Sequence, residues 1–361
     1  MNKPFASGKK LPDMRRKTFY NTAIPFLLTT ISFVSNAQQI SNNSLENDKK
    51  AILSIAYFTE SANNSINSLN GLLKKDNYRN KITTLNNPTN NELGFSLKTE
   101  ILEALKPLLD KVRKTDKSKF KEVIENFLNN PEENGIKSVK KYLPALGIFS
   151  TVLSLVGNLV IIEKKITQQD LNIFIEKNQQ YFTQYEKLNS INMEFTLEVN
   201  RLLDKSEEIK SDLKDFLIEC ITSLDRKTGK DQLKGLPMES LLLKYYDPQK
   251  LQQLPDSLSQ TVKGPLFPPD APTSVKILTS GIKKLQKEFE TLYSENYKQL
   301  KELIGSLKSA IPNLDEKQLD KTNTEIDRLY SESKQADLTN LNISQVDERM
   351  NTACRIINNY K

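Results

Sequence analysis

Few residues in this chain could do chemistry. There is no histidine, which removes the usual general base, the usual partner of a nucleophilic serine or cysteine, and the commonest metal ligand together. Only two cysteines occur, Cys220 and Cys354, too few to build a zinc site alone. In an oxidising compartment they could close a disulfide loop of about 130 residues, worth on the order of 4–5 kcal/mol in the chain-entropy model. Two buried free thiols on helix faces are the other reading. Glu/Lys and Asp/Lys combinations abound, but at helical spacing they are solvated faces and i,i+4 pairs. No phosphate-binding loop, dinucleotide fingerprint, nucleophile elbow or metal-ligand spacing is visible. The sequence nominates no catalytic residue, no cofactor and no metal, and it reads as a protein that is not an enzyme.

What stands out instead is KKYLPALGIFSTVLSLVGNLVIIEKK at 140–165. Tyr142 to Ile162 form a membrane-length run without a charge, in a chain whose mean hydropathy is −0.53. Gly147, Ser150, Ser154 and Gly157 recur every three to four residues, so a helix here has one narrow face of small side chains. Ile148, Phe149, Val152, Leu155, Val156 and Leu159 make the other, greasy face. Small residues let helices approach closely, in membranes especially. Gly147, Ile148, Phe149, Val152, Leu155, Val156, Gly157 and Leu159 are therefore the candidate membrane-contacting residues. Three fates compete for the run: a core helix surrounded by others, a constitutive transmembrane helix, or a segment packed in the soluble form and released into lipid. The flanks, Lys137, Lys140 and Lys141 against Lys164 and Lys165, set no orientation.

The elements that must position this run are helices. Residues 1–37 read as a cleaved signal peptide: a basic region from Lys9 to Lys17, an apolar stretch from Ala23 to Val34, and Ser35-Asn36-Ala37 before the cut. A start at Met14 would give a signal of more ordinary length, and an uncleaved membrane anchor is the alternative reading. The junction and the Asn/Lys-rich composition resemble those of exported bacterial proteins, so the expected location is secreted, periplasmic or cell-surface. The signal holds six Lys/Arg against one acid, Asp13, so its loss takes the chain from 52 basic and 45 acidic residues to 46 and 44. A net charge of +2 without a basic stripe excludes nucleic acid as a partner.

Residues 38–47, rich in Asn and Ser, are expected to be a flexible segment. Residues 48–226 read as a helical bundle. Ile52, Ile55, Thr59, Ala62, Ile66, Leu69 and Leu73 alternate at spacings of three and four, a bundle seam. Asn77 to Gly94 reads as a loop. Helices follow from about Ser96 to Lys114, interrupted at Pro107, and from about Asp116 to Asn129, ended by Pro131 and Asn134-Gly135. From Leu171 to Cys220 a seven-residue register repeats seven times, broken only by Asn178, Asn192 and Ser206. It specifies a long helix over 167–226, opened by a Thr167/Asp170 capping box. Residues 227–272 carry seven prolines and form a connection or cap, with a short helix at 241–246. Thr273 or Ser274 caps a second long helix, and two amphipathic helices complete residues 273–361. Nothing alternates at period two. The fold class is all-α, an elongated helical bundle with coiled-coil-like helices and one central hydrophobic helix or hairpin.

This plan, heptad-patterned helices around one hydrophobic segment behind an export signal, resembles the cytolysin A type of α-helical pore-forming toxins. The resemblance covers most of the mature chain as architecture and carries no short motif. It implies a segment hidden in the soluble monomer that inserts after rearrangement, with assembly into a ring. The break at Pro131 and Asn134-Gly135 departs from that family, whose helices flanking the segment are comparably long. The functional expectation is an exported protein that engages or inserts into membranes through 142–162, with pore formation as one outcome. The alternative is a periplasmic or surface coiled-coil scaffold without insertion. Expected partners are lipid, further copies of the chain, or a helical protein.

Overall fold

The computed structural model of the chain describes residues 39–129, 151–158, 166–247, 266–340 and 342–359. The signal reading at 1–37, most of the apolar run and much of the proline-rich connection lie outside those residues. The chain divides into two units, Met1–Asn42 and Asn43–Lys361. Of the first only residues 39–42 are described, as helix; the architecture below is that of the second.

Among the described residues there are helices and no strand. They are α1 (Gln39–Lys75), α2 (Asn77–Leu85), α3 (Leu97–Leu109), α4 (Lys114–Asn129), α5 (Gln168–Leu224), α6 (Lys230–Lys234), α7 (Met238–Tyr245), α8 (Ala271–Ala310), α9 (Glu316–Asn340) and α10 (Ile343–Asn358), with a further helical stretch at 151–158. The fold class read from the sequence is the one observed.

The 57-residue α5 is the spine, about 85 Å at 1.5 Å per residue. Its start is fixed by the expected capping box. Thr167 Oγ1 accepts from the Asp170 N–H, and Asp170 accepts from the Thr167 N–H at 2.9 Å. The heptad positions Phe174, Tyr181, Tyr185, Leu188, Phe195, Val199, Leu202, Ile209, Leu213, Phe216 and Cys220 are all buried. The seam polar Ser206 donates to Asn70 of α1, whose amide in turn donates to Glu207 at 3.0 Å. A buried polar contact of this kind ties one register of α1 on α5.

Three staves complete the bundle, the first two running antiparallel to α5 and packed on it. The first is α1, α2 and α3 in succession. Phe58 meets Phe216, Asn67 meets Lys210, Tyr78 meets Phe195, Asn86 meets Asn189, Phe95 meets Tyr181, and Lys111 meets Asp170. The second is the unbroken α8, with Gly281 beside Ile209, Glu288 on Lys205, Tyr293 on Phe195, and Ser306 on Gln184. The third is broken again and runs antiparallel to α8. In it α9 bonds Lys301 and Lys308 through Asp327 and Asp320, and α10 bonds Lys283 through Asp347. The cross-section is a four-helix bundle in which two staves are continuous and two are jointed.

Several boundaries differ from the sequence reading. Helix begins at Gln39, so the stretch expected to be a flexible segment at 38–47 is helical from its second residue. The expected loop at 77–94 contains α2, because Asp76 caps it, accepting from the N–H groups of Tyr78 at 2.9 Å and Arg79 at 3.4 Å. Pro107 sits inside the last turn of α3 without ending it earlier. α8 starts at Ala271 behind Asp270, with Pro272 in its first turn, where a missing N–H costs nothing. The remaining loop is pinned by Gly94. Its φ of +83° suits glycine, and its carbonyl accepts from the Asp315 N–H at 3.0 Å. Lys81 stands between Glu92 at 2.5 Å and Glu325 at 2.6 Å, joining loop, α2 and α9.

Candidate functional site

In sequence the apolar run falls between α4 and α5, and Asn129 at the end of α4 accepts from Lys98 at the start of α3 at 2.8 Å. Tyr181 donates to the Pro312 carbonyl at 3.2 Å, level with the turn after α8. Residues 168–180 of α5 therefore extend past the end of α8. There α5 packs on α3, and α4 packs on α3 in turn. Lys111, just past the end of α3, bonds Asp170 at 2.7 Å, and that contact, with the bonds from Thr167, lowers the Asp170 carboxyl to about 2. This end is built from short elements, where the middle of the bundle has α5 and α8 throughout.

Of the eight candidate residues, Gly147, Ile148, Phe149 and Leu159 lie outside the described residues. Val152 and Val156 are 0% exposed and belong to the hydrophobic core of the bundle. Leu155, like its neighbour Leu153, is half-buried against that core. Ser154 is exposed and Gly157 half-exposed, and a Cβ built on Gly157 would meet nothing within 4 Å. The described turn thus puts valines inward and small residues outward. The small face is not used here for close helix packing. Val123 of α4 and Ile173 of α5 are large apolar side chains exposed at the same end.

Cys220 and Cys354 are both free and buried. Burial raises the pKa of each thiol. The Cys354 Sγ lies 3.6 Å from the Pro272 carbonyl, to which it donates. Among the described residues no group of three or more His, Cys, Asp and Glu could hold a metal ion, and no helix is long and apolar enough to cross a membrane.

A second feature escaped the sequence reading. Where the first stave breaks at Asp76, aromatic rings from four helices converge. Tyr78 is fully buried, with ring centroids at 6.0 Å from Phe195, 5.9 Å from Tyr293 and 5.9 Å from Tyr330. Its hydroxyl donates to Asn296 at 2.9 Å. Phe289 lies 4.3 Å from Tyr293, and Tyr297 stacks on Tyr330 at 4.0 Å. Ser333 of α9 donates to Asp76 at 2.8 Å, linking the joint of the first stave to the third. Beside this cluster are a cavity of about 470 Å³ and a smaller one of about 240 Å³, which share Phe289, Tyr293 and Ser333 as walls. No local period signals such a site, because Tyr78 and Asn296 are 218 residues apart.

The chain matches no protein-family model, no curated protein and no solved structure.

Proposed function

We propose that this chain is an exported helical-bundle protein that engages lipid membranes by releasing residues 142–162 from the end of the bundle, and that inserted copies assemble into pores. One observation supports the reading: in the described part of this uncharged run Val152 and Val156 are buried while Ser154 is exposed. Releasing a buried valine costs about 1.5–3 kcal/mol in water. A hydrocarbon layer offsets that cost, because lipid tails are as apolar as the core. The two unbroken helices supply a body that can stay folded while the end rearranges.

The test is dye release from vesicles of several lipid compositions, with the oligomeric state followed in parallel. Release that accompanies higher-order assembly supports the proposal. A chain that stays monomeric and releases no dye under any lipid or detergent trigger contradicts it, and leaves a coiled-coil scaffold that binds a helical partner.

A further inference from the structure

We propose that two copies of this chain associate in solution through the outer face of α5 and α8, related by a two-fold axis parallel to the bundle, with α5 of each copy lying on α8 of the other. The association is read from this face alone and does not rest on the membrane reading. On α5, Asp204, Glu208, Asp212, Asp215 and Glu219 are exposed and follow one another at spacings of three and four, so they form one acidic stripe. Carboxylates at that spacing repel one another. Glu208 and Asp212 share a helix face with Lys205, which reaches across to Glu288, so the stripe runs beside α8. On α8, Lys276, Lys284 and Lys287 are exposed with no acid between them. Neighbouring charges are already engaged: Arg201 and Lys205 hold Glu288, Lys230 holds Glu219, and Lys283 holds Asp347. The other four acids of the stripe and these three lysines have no ion-pair partner among the described residues.

The heights of the two stripes match. Gly281 lies beside Ile209, and Lys205 bonds Glu288 at 2.6 Å. Lys284 and Lys287 therefore stand level with Asp204 and Glu208, and Lys276 stands level with Asp212 and Asp215. A two-fold axis along the bundle exchanges the two helices and keeps every height, so the acidic stripe of each copy meets the lysines of the other. A partner of different chemistry would need only one of the two signs. A face that carries both, side by side at one height, is complementary to itself, and such charges fix the register of an encounter. Ile277, 66% exposed among the lysines, gives the contact an apolar centre. Further along, the same two helices leave an open groove of about 590 Å³, lined by Ser190, Ile191, Leu303 and Ser306. From Thr183 to Glu219 the face runs roughly 55 Å and two helices give it a width of about 20 Å, so each copy offers about 1,000 Å², enough for a specific dimer.

The experiment is sedimentation equilibrium of the full chain without lipid, at about 50 and about 500 mM salt. A monomer–dimer equilibrium in the micromolar range is expected, weaker by about tenfold or more at the higher salt. Lys284→Glu and Glu208→Lys, both at exposed positions, should each weaken the dimer by about tenfold or more. An equimolar mixture of the two variants should dimerise to within about threefold of the parent chain, because each new charge then faces its opposite on the other copy. Lys317→Glu, exposed on α9, should change nothing. A chain that is monomeric at every concentration, a dimer indifferent to both substitutions, or a mixture no more associated than its components overturns the proposal. Binding of polylysine by a chain that stays monomeric also overturns it, and assigns the α5 stripe to a basic partner. No step involves lipid, so each of these failures leaves the test of residues 142–162 standing.

Discussion

Replacing Ser154 by lysine separates the two environments proposed for the apolar run. Ser154 is exposed, between Val152 and Val156 at 0% exposure. A lysine there reaches water in the folded chain, so stability should change by no more than about 0.5 kcal/mol. In a bilayer the same position falls near the middle of 142–162. A lysine at the centre of an inserted helix costs about 2.5–3.5 kcal/mol, which reduces the inserted population about 60- to 300-fold. Dye release at fixed lipid and protein, read beside the urea midpoint, measures both numbers on one preparation. Val152→Asp is the contrast: its carboxylate enters the core and should cost upwards of about 3 kcal/mol and unfold the bundle end. Ser154→Lys with undiminished release and an unchanged midpoint would mean that residue 154 never enters hydrocarbon. A midpoint lowered by more than about 1 kcal/mol would instead mean that the outward placement of Ser154 is wrong.

Three further outcomes follow from the fold. Gly94→Ala should destabilise by at least about 2 kcal/mol in urea unfolding, since the residue has φ +83° and its new Cβ would stand 2.7 Å from the Asp315 carbonyl oxygen; a loss under about 0.5 kcal/mol would remove the pin between this loop and the turn before α9. Asp170 is held at about 2, chiefly by Lys111 and then by Thr167, below the usual value of about 3.9. A carboxyl lowered on folding stabilises above its unfolded pKa and loses that contribution as pH falls through the folded one. Asp170→Asn should therefore flatten the acid limb of the stability curve between about pH 4 and 2, and an identical limb in the variant would count against the contact. Both thiols are buried and free, so Ellman's reagent should label neither in the native chain within minutes and both in denaturant, while a reductant leaves the melting temperature unchanged; a fall with reductant would reveal a disulfide.

The long helices were legible because their signal repeats. In α5 the same register recurs over seven heptads, and the Thr167/Asp170 box marks its first turn. In α8 the apolar positions from Val275 to Leu307 recur with one period, although its cap was read at Thr273 or Ser274 and is Asp270, because Pro272 was counted with the proline-rich connection. α2 was missed for the opposite reason: its nine residues bury only Tyr78, Ile82 and Leu85, too few turns to separate a period from chance. The first turns of α1 carry Asn and Ser, which favour other conformations locally, so tertiary packing had to decide there. The candidate membrane residues were visible from the absence of charge. That Val152 and Val156 are buried and Ser154 exposed is decided by tertiary packing, which no single segment encodes. The aromatic joint was invisible on the same grounds, since it needs residues from α2, α5, α8 and α9 at once.

The most direct measurement places an environment-sensitive nitrobenzoxadiazole probe on a cysteine introduced at Ser154, with Cys220 and Cys354 replaced by alanine. In buffer the emission should be that of a water-exposed dye. On addition of vesicles it should shift to the blue and be quenched by lipids spin-labelled in the acyl chain, in step with dye release from the same vesicles. Release without any spectral change at 154, or a probe that stays water-exposed at every lipid ratio, would contradict the assignment of this segment to the membrane.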